Sequence, residues 1–84
     1  MSEGTPASNV IRVLRARRIG VSLVDEATQT YMIEDGNFME EVVLTNEVGK
    51  RYLNYLKRKL GIPIHYFWNP EVAEAEAKAK ETAD

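Results

Sequence analysis

A nucleophile in this chain would have a single base to work with. His65 is the sole histidine and there is no cysteine. A triad would therefore have to join His65 to Ser2, Ser8 or Ser22, and none of these serines sits in a strand–turn–helix elbow signature. His65 stands among aromatics in IHYFW, where a hydrogen-bonded structural role outweighs a catalytic one. One histidine without cysteine also excludes the usual zinc patterns. Glu34, Asp35, Glu40 and Glu41 flank a turn and could gather round a hard cation, but the calcium-loop spacing is missing, and solvated hairpin acids explain them better. The five glycines, at 4, 20, 36, 49 and 61, are too scattered to cradle a phosphate or dinucleotide. No catalytic residue, cofactor or metal ligand is assigned, and the chain is read as not an enzyme.

Binding chemistry is better supplied. Arg15, Arg17 and Arg18 cluster with Arg12 near the start, and Lys50, Lys57 and Arg58, flanked by Arg51, recur 40 residues on. On one surface these two groups would form a track for phosphates, since arginine can fork onto phosphate oxygens. Against this stand a sequence pI of about 5.4 and the lack of any zinc-finger, helix-turn-helix or RNA-recognition signature. A solvated or internally paired basic face is the plain alternative. The second candidate is Ile64, Tyr66 and Trp68, which share one face of a short apolar run. Three roles compete for its aromatics: core packing, a protein-binding edge, and base stacking. The acidic residues after Asn69 count against stacking.

Charge is segregated along the chain. Residues 1–24 carry four Arg and one Glu, 25–47 seven acids and no base, 48–60 five bases and no acid, and 61–84 five acids and two Lys. The net charge of −2 hides this pattern. Either the blocks attract one another within the fold, or the surface is polarised.

The elements that must position these residues read as α+β. Residues 45–60, TNEVGKRYLNYLKRKL, give the clearest helix. Thr45 is the expected N-cap and Glu47 an early acid. Lys57, Arg58 and Lys59 occupy the last turn, Gly61 the left-handed stop, and Pro63 blocks resumption. Leu53, Leu56 and Leu60 form the apolar stripe with Tyr52, and Gly49 suggests close approach to a sheet. Residues 18–24, 29–34 and 38–44 alternate as strands, joined by turns at 25–28 and at Asp35-Gly36-Asn37. Residues 9–17, NVIRVLRAR, read as a fourth strand from their β-branched content, although Val10, Leu14 and Arg17 also fit a helical period. Residues 62–68 read as an edge strand beginning beyond Pro63. Asn69-Pro70-Glu71 opens a second, Ala-rich surface helix, in which Glu74–Lys78 and Glu76–Lys80 are spaced as helical ion pairs.

The expected architecture is thus an antiparallel meander of three to four strands packed on one main helix, with a short edge strand and a C-terminal surface helix. Its expected core is Ile19, Val21, Leu23, Tyr31, Ile33, Val42, Leu44, Leu53, Leu56, Leu60, Ile64 and Trp68. Residues 1–8 are expected to be disordered, 9–69 to form one domain, and 70–84 a charged helix or tail. A chain of 84 residues buries only about 60–65% of its unfolded surface. It has no disulfides to compensate, so self-association is a reasonable expectation. No apolar run spans a bilayer and the N-terminus lacks a signal-peptide pattern, so the expected location is cytoplasmic, without membrane contact. Such a generic fold carries no function by itself. The reading is a small non-enzymatic interaction module, self-associating or protein-binding through the apolar edge strand. The alternative is a nucleic-acid-binding regulator using the arginines and the basic helix.

Overall fold

Helical spacing prevails at the start of the chain. In the computed structural model, which describes residues 4–82, α1 runs over Ala7–Ala16 and buries Ala7, Val10, Val13 and Leu14. The strand expected at 9–17 is not formed. Apolar residues three, four and seven apart make one face of a helix, and burying that face overrides the β preference of Val10, Ile11 and Val13. Disorder expected over 1–8 gives way from Thr5 onward; residues 1–3 lie outside the described residues. Thr5–Pro6 forms a two-residue strand, β1, paired antiparallel with β5 at Glu47–Val48.

The meander follows as β2 (Gly20–Asp25), β3 (Thr30–Asp35) and β4 (Phe38–Val43), hydrogen-bonded in the order β2-β3-β4. Gly36 takes a φ of 59° in the β3–β4 turn, where a residue without Cβ is at ease. Val21, Ile33 and Glu40 are aligned across the sheet, as are Leu23, Tyr31 and Val42. Alternation puts these on the inner face and Met32, Met39, Glu41 and Val43 on the outer face.

The main helix is shorter than its sequence signals. It is α2, Lys50–Leu60, with Gly49 rather than Thr45 at its N-cap. Residues before it are recruited elsewhere: Ala7 N–H donates to the Asn46 carbonyl at 2.9 Å, and Val48 is buried beside Thr5. The close-approach glycine is Gly4, not Gly49. A Cβ at Gly4 would run into the Val48 carbonyl, while one at Gly49 would meet nothing within 4 Å. The end of α2 is as expected, with Gly61 at φ 69° and its N–H on the Lys57 carbonyl.

Residues 64–68 form no edge strand. Ile64–Phe67 is a turn of 3-10 helix, η1. Pro63 is extended and its carbonyl accepts the Tyr66 N–H at 3.1 Å. The tight turn drives Phe67 fully into the core, whereas strand alternation would have set it opposite Tyr66. Then α3, Pro70–Thr82, starts with Pro70 in its first turn and the Asn69 carbonyl accepting from Val72 N–H. It lies along α1 with Ala73 buried. Glu74 pairs with Arg12 of α1, with Arg12 Nη2 at 2.6 Å from Glu74 Oε1, and Glu76 accepts from the Tyr66 hydroxyl.

The core therefore joins Val10, Val13, Leu14, Ile33, Leu53, Leu56, Ile62 and Phe67. Of the residues expected there, Leu23 and Trp68 are exposed, at 48% and 42%. Leu23 lies on β2, an edge strand of the meander.

Candidate functional site

The structure separates the sequence-predicted site residues into different surfaces. Tyr66 leaves the candidate interface altogether: it is 6% exposed and bonded to Glu76. Ile64 is half-buried and Trp68 exposed. Together with His65 and Lys50 they line an open concavity of about 490 Å³. Each side chain has a local cause. Lys50 opens α2 immediately after the extended Gly49. The 3-10 turn brings Ile64 and His65 forward, and Trp68 is its C-cap in the right-handed helical region. The Lys50 ammonium has no hydrogen bond or ion pair among the described residues. His65 packs edge-on against Tyr66 with ring centroids 4.8 Å apart.

The basic residues do not share one cavity. Arg17 and Arg18 line a groove of about 390 Å³ between α1 and α3, with Lys80 on its other wall. Arg15 is exposed on the body of α1, and Lys57 and Arg58 on the last turn of α2. Arg12 is engaged by Glu74 through two hydrogen bonds, which raise the guanidinium's pKa and lower that of the carboxyl. Lys50, Arg51, Lys57 and Arg58 form no ion pair with Asp25, Glu26, Glu34, Asp35, Glu40 or Glu41. Attraction between neighbouring charge blocks therefore does not take the form of ion pairs between α2 and the meander.

A third cluster was not foreseen from the sequence. Glu40, read there as a solvated hairpin acid, accepts the Tyr52 hydroxyl at 2.8 Å and the Tyr55 hydroxyl at 2.7 Å. The two rings stack at 5.5 Å, and Phe38 packs on Tyr55. Burial, and then the Glu40 bond, pushes the Tyr52 phenol well above its ordinary pKa. The Tyr55 phenol is raised chiefly by its Glu40 bond. Tyrosines three apart on a helix could signal a shared acceptor, but the acceptor's identity is a long-range fact. This cluster clamps β4 to α2, and its hydroxyls are committed as donors.

Among the described residues no group of three or more His, Asp or Glu side chains could hold a metal ion. Nor is any helix among them long and apolar enough to cross a membrane. The fold and surfaces define a small α+β domain: a three-stranded sheet, a two-stranded sheet and three helices. No protein family, curated protein or solved structure matches the chain.

Proposed function

We propose that the chain is a non-enzymatic interaction module that associates with a second copy of itself through the concavity at Trp68. The observation that carries this is the exposed indole beside half-buried Ile64, with the unpartnered Lys50 ammonium on the same wall. Large exposed aromatics are characteristic anchors of protein interfaces. The ammonium selects a partner that offers a carboxylate next to an apolar side chain.

The chain carries such a segment. The outer face of β4 presents Met39, 65% exposed, then Glu41, then Val43. Residues two apart on a strand lie about 6–7 Å apart, so Met39 can cover Trp68 while Glu41 faces Lys50. The second edge of β4 is unpaired among the described residues, and open edges invite pairing. A two-fold arrangement makes each contact twice and closes the dimer. Self-association thus passes from the expected 64–68 edge to a different strand.

The single tryptophan makes the test direct. Sedimentation and tryptophan emission are followed together as concentration rises. The expected result is a doubled mass with a blue shift, both abolished by Trp68→Ala or Met39→Lys. Mixing Lys50→Glu with Glu41→Lys should restore heterodimer where each variant alone stays monomeric. Monomer mass at every concentration, with constant emission, would reject self-association.

Nucleic-acid binding is the second reading. It is favoured by Arg15, Arg17, Lys50, Lys57 and Arg58, none of which has a side-chain hydrogen bond or ion pair among the described residues. Titration with duplex DNA at two salt concentrations tests it. Binding should weaken with a log–log slope near −0.9 per phosphate contacted.

A further inference from the structure

The exposed face of α2 is built around one amide. Asn54 stands at its centre, with Lys50 and Arg51 four and three residues before it and Lys57 and Arg58 three and four residues after it. Those offsets are the neighbours of a residue on a helix surface, so the cations form two rungs with Asn54 between them. All five side chains are exposed. None makes a hydrogen bond or ion pair among the described residues. The opposite side of the helix holds Leu53 and Leu56, fully buried. Glu40, the acid that reaches α2, is taken by the Tyr52 and Tyr55 hydroxyls. The helix itself contains no acid.

We propose that α2 enters the major groove of duplex DNA, with Asn54 on an adenine and the two rungs on the flanking phosphates. This deepens the nucleic-acid reading and rests on it. Four cations on one face of an 11-residue helix, in a chain of net charge −2, concentrate positive potential locally, and a polyanion is its complement. Each rung lies about 5 Å from Asn54 along the helix axis. The cations can therefore grip the phosphate walls while the amide reaches the floor.

The composition of the face selects this partner among polyanions. Asparagine donates to adenine N7 and accepts from its N6 amino group, an edge displayed in the major groove. That groove is about 12 Å wide and admits an α-helix, whereas the deep, narrow major groove of duplex RNA does not. Stacking on a single strand needs free aromatic rings, and Tyr52 and Tyr55 are committed to Glu40. A bilayer surface would use the charges but not the amide, and Leu53 and Leu56 are buried where they cannot enter it. Lys50 also lines the Trp68 concavity, while Arg51, Asn54, Lys57 and Arg58 do not. The test therefore leaves Lys50 unaltered.

The isotope-labelled full chain is titrated at low salt with two duplexes of equal length, one with A·T pairs at its centre and one of G·C pairs only. Phosphatidylglycerol vesicles form a separate arm. The expected result is shifts over Lys50–Leu60 with both duplexes, and a shift of the Asn54 side-chain amide with the A·T duplex alone. Asn54→Ala should cut affinity for the A·T duplex about tenfold, to the level of the G·C duplex, and leave the salt dependence unchanged. Lys57→Gln and Arg58→Gln should each weaken both duplexes alike and lower the log–log salt slope by about 0.9. Binding that shifts Arg15 and Arg17 but leaves α2 silent would overturn the proposal while the nucleic-acid reading stands. So would an Asn54→Ala variant that keeps full affinity for the A·T duplex. Shifts of α2 with vesicles and with neither duplex would overturn it and assign the face to a membrane. No binding of either duplex would remove the nucleic-acid reading and this proposal together.

Discussion

Glu40 shows how much a single side chain can organise. Its two oxygens are taken by phenols from one helix, so β4 and α2 are fixed to each other through one carboxylate. The pH consequence lies with Tyr52, whose ordinary pKa of 10.0 is raised in the fold. A raised pKa contributes stability that is fully present below about pH 10 and is lost as pH rises toward the folded value. Alkaline unfolding should therefore begin above pH 10, and Tyr52→Phe should flatten that limb. Ultraviolet titration of the tyrosinate band should find Tyr52 ionising above its ordinary pKa of 10.0. None of this was legible in the sequence, because an acid beside a turn and two tyrosines on a helix look solvated until the sheet meets the helix. Arg18 was legible as a cation but not as a left-handed residue at φ 62°, since no glycine or asparagine marks its position.

At the scale of elements, the legible parts were those whose signals are local. The Asp35-Gly36-Asn37 turn, the Gly61 stop and the Asn69-Pro70 start all stand where the chain places them. Gly61→Ala tests the stop cleanly. A Cβ there would meet nothing within 4 Å, so the cost is the left-handed backbone alone, about 1–2 kcal/mol in chemical unfolding. Elements decided by distant partners were misread. α1 contains β-branched residues at Val10, Ile11 and Val13, and burial against α3, β2 and η1 selects the helical period over the strand. The first residues of the expected α2 helix are drawn into β5 by Thr5–Pro6. The run at 62–68 is apolar in either form, and it coils because Phe67 is needed in the core while Trp68 is not. The same coiling that spoils the expected edge strand leaves the indole outside, where an interface can use it.

In the molecule as a whole, the N-terminal segment locks the C-terminal half. Thr5 is fully buried, its hydroxyl donating to the Phe67 carbonyl at 2.6 Å, and Asn9 Nδ2 reaches both at 3.1 Å. Thr5→Val keeps the shape but removes the donor. The Phe67 carbonyl then relies on Asn9 alone, and Asn9 loses one acceptor. A loss of about 1–3 kcal/mol is expected, measured by urea unfolding; an unchanged midpoint would show that the hydroxyl contributes nothing net. A domain of this size has only about 5–15 kcal/mol in total, so this one hydroxyl is a sizeable share. No period, cap or motif marks Thr5, and its partner lies 62 residues away.

That separation sets an order of events during synthesis. α1 leaves the ribosome before the carbonyl that Thr5 binds and before α3, the helix that lies along it. At roughly 5–20 residues per second, the opening segment waits about 3–12 seconds for Phe67 to be added. Throughout that interval the apolar face formed by Val10, Val13 and Leu14 lacks the cover of η1 and α3. A nascent chain of this protein therefore presents the α1 face to a holding chaperone until η1 and α3 can cover it.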